Sequence, residues 1–195
     1  MFESIATQFA NGVRRLAAAS VGRRFVRQQD GAAAVEFAIV AAPFLALVFA
    51  IMETAIVFFA GQALETAVAD SARLIMTGQA QGAAMSQAQF KDAVCSKIYG
   101  LFDCQNGVYV DVRKFSSFAS VTMPSPIDAN KNFQPNFSYQ PGAACDIVVV
   151  RLFYQYPVYV SLLGLDGLAN LAGGKRLLAA TAAFRNEPFS TSSGC

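Results

Sequence analysis

Few side chains in these 195 residues could do chemistry: there is no His, and four Cys and thirteen acids are the remaining reactive groups. Without His the chain lacks the commonest general base and metal ligand, and a Ser, Thr or Cys nucleophile would need another base within reach. Asp103, Asp111, Asp128, Asp146 and Asp166 are scattered singly, with no spacing that assembles nucleophile, base and orienting group. The sequence therefore points away from an enzyme. Cys95, Cys104, Cys145 and Cys195 are separated by eight, 40 and 49 residues, unlike a zinc site, so neither a metal nor a cofactor is expected.

Two carboxylates matter for a different reason. Glu36 and Glu53 are the charged residues in the otherwise apolar run from Ala32 to Ala60. Phe37 to Met52 gives sixteen uncharged residues, about 24 Å of helix against a hydrocarbon core of about 30 Å. Extending the run to Ala60 makes it long enough to cross, but it then includes Glu53. A carboxylate at the bilayer centre costs about 2.5 kcal/mol or more, so this intramembrane acid must be paired or lie near an edge.

The composition agrees with a membrane segment. Charged residues are 14% of the chain, against about 25% in soluble domains, and the mean hydropathy is +0.39. The net charge of +2 is too small for a nucleic-acid footprint. It is unevenly placed: residues 1–31 sum to +3, through Arg14, Arg15, Arg23, Arg24 and Arg27, and the rest to −1. Arginines just before an apolar run hold that side in the cytoplasm, which places the N-terminus inside and the C-terminal region outside. The plainer alternatives are an Arg-rich presequence and a basic tail. The run is too long for an ordinary secretory signal and lacks a small-residue cleavage site at its end.

The elements follow from periodicity. Leu64, Val68, Ala72 and Ile75 continue the helix beyond the span, giving a helix over residues 32–77 that Pro43 should kink and Gly78 and Gly82 should end. Phe90, Val94 and Ile98 mark a second, short helix. Val108, Val110 and Val112 alternate with Tyr109, Asp111 and Arg113 as in a half-buried strand. The unbroken run Ile147 to Val150 suggests a strand buried on both faces, limited by Pro157. RLLAATAAFRN reads as a last strand, although its Ala content also suits a helix. PSPIDANKNFQPNFSYQPG reads as a long surface loop, and Arg185 and Glu187 as an ion pair. The expected layout is a basic cytoplasmic leader at 1–31, a helix at 32–77 crossing the membrane at about 37–60, and an outer domain at 78–195. The class is α+β: a long membrane-spanning helix followed by a small antiparallel-sheet domain.

All four Cys fall on the side placed outside, where disulfides form. Of three connectivities, Cys95 with Cys104 closes a short loop and leaves Cys145 for Cys195; four free thiols are the alternative.

The stretch RRFVRQQDGAAAVEFAIVAAPFLALVFAIMETA, the following LETAVADSARLIMTG and the closing AAFRNEPF resemble the TadE-like proteins. These are minor pilins or pseudopilins of bacterial tight-adherence, Flp-type pilus systems. The resemblance implies a pilin-like fold and processing by a prepilin peptidase after Gly31. Ala32 then becomes the new N-terminus, with Glu36 and Phe37 at the family's spacing as the assembly and register positions. A leader of 31 residues is long for the group, and Phe37 stands where major Flp pilins often have Tyr.

The resemblance also implies partners: the peptidase, other pilin subunits, the inner-membrane assembly complex and membrane lipid. It implies a single-pass inner-membrane protein with a periplasmic domain, working in cell adhesion and secretion either within the pilus after processing or in its basal complex. The alternative is a permanently anchored, uncleaved periplasmic scaffold or binding module.

Overall fold

A computed structural model describes residues 31–98, 100, 103–159 and 168–189. The chain divides into two compact units, residues 1–48 and 49–195, and the division falls inside one helix. That helix, α1 (Ala32–Met76), is 45 residues long and runs through Pro43. Its Ala-rich sequence has no Gly before Gly61, so little opposes helix propagation. It ends where Gly78 turns left-handed at φ 78° and returns its N–H to the Ile75 carbonyl at 3.1 Å.

In the first unit none of residues 32–48 is buried. In the second, α1 buries a stripe at three- and four-residue steps: Ala50, Glu53, Val57, Ala60, Leu64, then Ala67 and Val68, Ser71 and Ala72, and Ile75. From Val57 onward the apolar members of this stripe belong to the main core.

The opposing layer is a three-stranded antiparallel sheet ordered β1 (Val108–Phe115), β2 (Ile147–Pro157) and β3 (Lys175–Arg185). The α+β class is thus present as expected, and the order places β2 between its two partners. Val110 pairs with Leu152, and Leu152 in turn with Ala180. Val108, Val110, Val112, Val148, Val150, Leu152, Leu178 and Ala180 join the α1 stripe in that core.

Between α1 and the sheet lie α2 (Gln79–Gly82), α3 (Gln87–Cys95) and α4 (Cys104–Gly107). Ser86 starts α3 with a capping box: its Oγ accepts the Gln89 N–H, while Gln89 Oε1 accepts the Ser86 N–H. Phe90, Val94 and Ile98 are buried, as their spacing predicts.

The second face of the sheet carries the expected surface loop, residues 124–142, which is irregular and has no buried residue yet packs against the sheet. Phe133 and Phe137 pack with Tyr109 and Phe153, the Phe137 and Phe153 rings being stacked at 5.2 Å between centroids. Residues 138–140 also run beside β1: the Val112 N–H donates to the Ser138 carbonyl at 2.8 Å, and the Gln140 N–H to the Val112 carbonyl at 2.9 Å. Turn-forming Pro and Asn shape the path, and the aromatics between them supply the burial.

Candidate functional site

The residues expected to carry function lie along α1. Gly31 stands directly before the helix, whose first residue is Ala32, and both are exposed. Glu36 and Phe37 are exposed as well, Phe37 at 74%. Ala32 and Glu36 are four apart, so they share one face one turn apart. From Val35 to Phe59 the helix presents a run of uncovered large apolar side chains. Such a surface is unfavourable in water and is solvated equally well by lipid tails or by other apolar helices. α1 is long and apolar enough to cross a membrane, which fits a single-pass membrane protein.

Glu53 has a different environment from Glu36. It is 7% exposed, and one carboxylate oxygen accepts the backbone N–H of Tyr159, just beyond the end of β2. Of the two alternatives open to this acid, pairing or an edge position, the fold supplies a partner. The hydrogen bond offsets part of the cost of burying the group.

The Cys residues are also placed. Cys95 and Cys104 form a disulfide with Cα atoms 5.6 Å apart, joining the end of α3 to the start of α4. Cys145 is disulfide-bonded too, and Cys195 lies outside the described residues.

The described members of the acids scattered in sequence each make bonds that serve the fold. Asp103 caps α4, accepting the Asn106 N–H at 3.2 Å and its Nδ2 at 2.7 Å, and these bonds hold its carboxyl below the ordinary value. Asp128 gathers its loop by accepting the Asn132 N–H at 2.8 Å, the Asn130 N–H at 2.9 Å and Gln134 Nε2 at 2.9 Å, which lowers its pKa in the same way. Asp146 accepts the Ala143 N–H at 2.8 Å. Asp166 lies outside the described residues.

Asp111 is the centre of a network that sequence reasoning missed. Fully buried, it takes Arg151 Nη2 at 2.6 Å from the directly opposite position on β2 and Arg113 Nε at 3.0 Å from its own strand. It also accepts the Ser138 N–H at 2.9 Å. The arginines reach on into the loop, Arg151 Nη1 to the Pro124 carbonyl at 3.1 Å and Arg113 Nη2 to the Asn136 carbonyl at 2.6 Å. Three charges thus fasten residues 116–146 to the sheet. The signal was an Asp between valines in a strand, where a charge has to find a partner.

The closing RNEPF segment likewise serves the fold. Asn186 is buried and donates its Nδ2 to the carbonyls of Pro141 and Ala143 at 3.0 and 2.9 Å. The Glu187 N–H donates to the Met76 carbonyl at the end of α1 at 2.9 Å. Phe189 packs over Gly78, where an added Cβ would lie 2.3 Å from the ring. Arg185, expected to pair with Glu187, donates its Nε to the Cys145 carbonyl at 3.2 Å.

Among the described residues no group of His, Cys, Asp or Glu is placed to hold a metal. The apolar stretch of α1 from Val35 to Phe59 is the largest run of uncovered apolar side chains among the described residues, with Glu36 and Glu53 near its two ends. The family model described as TadE-like protein matches residues 31–73, which takes in Gly31 and most of α1 but none of the sheet. No curated protein and no solved structure matches the chain.

Proposed function

We propose, from the TadE-like match over residues 31–73, that this is a minor pilin or pseudopilin of a tight-adherence pilus system. TadE-like proteins are associated with Tad pili as structural or assembly components, so the work proposed is association rather than catalysis. The observation that carries the reading is the uncovered stretch of α1 directly after Gly31. It is a helix that its own chain leaves bare, beginning at the residue that cleavage would make the N-terminus.

In this reading a prepilin peptidase cuts after Gly31, removing five arginines and leaving an ammonium on Ala32. That ammonium and Glu36 lie one helical turn apart. In an apolar surround the carboxylate is neutralised by the ammonium of the same or a neighbouring subunit, which fixes register between packed helices. Ala-rich faces allow neighbouring helices to approach closely. The N-terminus lies in the cytoplasm, α1 crosses the inner membrane, and residues 78–195 form the periplasmic domain that meets other pilus subunits. The basic charge before the apolar run supports this orientation.

The test is the N-terminus of the protein purified from its native membrane, read by intact mass and sequencing. The expected chain starts at Ala32. Gly31→Ala and removal of the prepilin peptidase should each leave uncut precursor. An intact N-terminus in cells that are assembling pili would overturn the processed-pilin reading and favour a permanently anchored periplasmic scaffold.

A further inference from the structure

Two features of α1 overlap in height. Its uncovered large apolar side chains end at Phe59, and beyond them the exposed positions of the helix are Gln62, Glu65, Thr66, Ala69, Asp70 and Arg73. Val35 to Phe59 spans about 36 Å at 1.5 Å per residue, somewhat more than the hydrocarbon core of about 30 Å. Covering by the chain's own domain begins lower, at Ala50, and includes Glu53. Between these limits the helix is two-sided. Ala50, Glu53 and Val57 are buried beneath the domain, whereas Ile56, Phe58 and Phe59 are 47%, 70% and 63% exposed.

Tyr159 belongs to the same level. Its backbone N–H reaches the Glu53 carboxylate, while the residue itself is 77% exposed. Glu53 lies six residues before Phe59, about 9 Å lower along the axis. We propose that this rim of the domain is seated in the outer face of the bilayer, with the Tyr159 ring at the boundary of headgroups and acyl chains and Glu53 shielded from lipid by the domain. The occupant is phospholipid, because the exposed Tyr159 stands at the level of the exposed apolar Ile56, Phe58 and Phe59 of the span, and Lys175, opposite Pro157 at this end of the sheet, suits a headgroup phosphate. A phenol suits that depth, its ring being apolar and its hydroxyl wet. A charged residue inside the apolar run then needs no solvent, since the protein supplies a donor. The inference rests on reading α1 as a membrane span.

The chain contains no Trp, so one introduced Trp is an unambiguous depth reporter. The full chain would be reconstituted in phosphatidylcholine vesicles, with and without brominated acyl chains, as four variants. Tyr159→Trp reads the rim, Phe58→Trp reads the helix at the same level, and Phe44→Trp reads the span. Phe118→Trp lies beyond the opposite end of the sheet, because β1 ends near the start of β2, whereas Tyr159 follows its end. The expected result is blue-shifted emission and loss of fluorescence in brominated vesicles for Tyr159→Trp, Phe58→Trp and Phe44→Trp, with Phe118→Trp unaffected. Quenching of Phe44→Trp alone would overturn the seated rim and leave the span intact. Quenching of Phe44→Trp and Phe58→Trp without Tyr159→Trp would also overturn it, showing the domain held clear of lipid. Failure to quench Phe44→Trp would overturn the span and the inference with it.

Discussion

The two halves of α1 are both apolar, yet one is bare and the other covered. Residues 32–48 carry large apolar side chains at successive positions around the axis, including Val35, Phe37, Ile39, Val40 and Phe44, and none of these residues is buried. From Ala50 onward alanines alternate with Val57, Leu64, Val68 and Ile75 along the covered stripe, and from Gln62 mostly polar residues take the opposite face. Ala50, Ala60, Ala67 and Ala72 let other backbone approach closely, while Gln62, Glu65, Asp70 and Arg73 face water. Mean hydropathy states how strongly a helix avoids water. The angular placement of side chains states whether lipid, other helices or the chain's own sheet will cover it.

Substitutions can separate the halves. The largest effect is expected for Asp111→Ala, which strands buried Arg151 and should cost about 3–5 kcal/mol. It breaks the comparison by unfolding the cover: near-ultraviolet circular dichroism of the detergent-solubilised chain should be lost while the helical signal of the span persists. Next, Leu64→Ala in the covered half should lower the stability of the domain by about 2–5 kcal/mol, because it opens a cavity in the main core. Leu47→Ala in the bare half should leave the urea midpoint of the domain, followed by tyrosine fluorescence, essentially unmoved. Equal losses at both sites would mean that the bare half is part of the folded core.

Gly78→Ala tests how the covered half is finished. A Cβ there meets a left-handed backbone and the Phe189 ring, for an expected cost of about 1–3 kcal/mol. If the ring is the main obstacle, Phe189→Ala should make the second substitution cheaper in a double-mutant cycle. The smallest effect concerns acid. The folded pKa values of Asp103 and Asp128 lie below the ordinary 3.8, so the unfolded chain takes up those protons first as pH falls. Their contribution is complete above that value and is lost as pH drops through the folded pKa. Asp128→Asn should lower stability slightly at neutral pH and leave it nearly unchanged in acid, which flattens the acid limb of a stability–pH profile.

Much of this layout was legible from residue order. Leu64, Val68, Ala72 and Ile75 marked the covered stripe by spacing alone, and the alternation of Val108, Val110 and Val112 assigned the core face of β1. The continuous apolar run at Ile147 to Val150 points to a strand buried on both faces, and all four residues are buried in β2. Strand order itself was not legible, because antiparallel pairing depends on contacts between distant segments. RLLAATAAFR was ambiguous since Ala favours helix, and only its full-length pairing with β2 makes it a strand. Pro and Asn mark residues 124–142 as a surface loop, but they do not show that it packs on the sheet. Phe133, Phe137 and the Asp111 network act across the chain, which periodicity does not detect. For the candidate site, sequence singles out Glu53 as an acid either paired or near an edge of the apolar run; that it accepts the Tyr159 backbone N–H is something composition does not reveal.

The contact between the end of α1 and residues 186–189 also sets a timetable. Met76 and Glu187 are 111 residues apart, and synthesis at about 5–20 residues per second separates them by roughly 5–20 s. In the orientation proposed above, α1 reaches the membrane while the strand and tail that complete its cover are still unmade. Cys95 and Cys104, only nine positions apart, emerge together during that interval. They can be oxidised before Cys145 arrives as a competitor, so the order of emergence from the ribosome itself favours the native pairing.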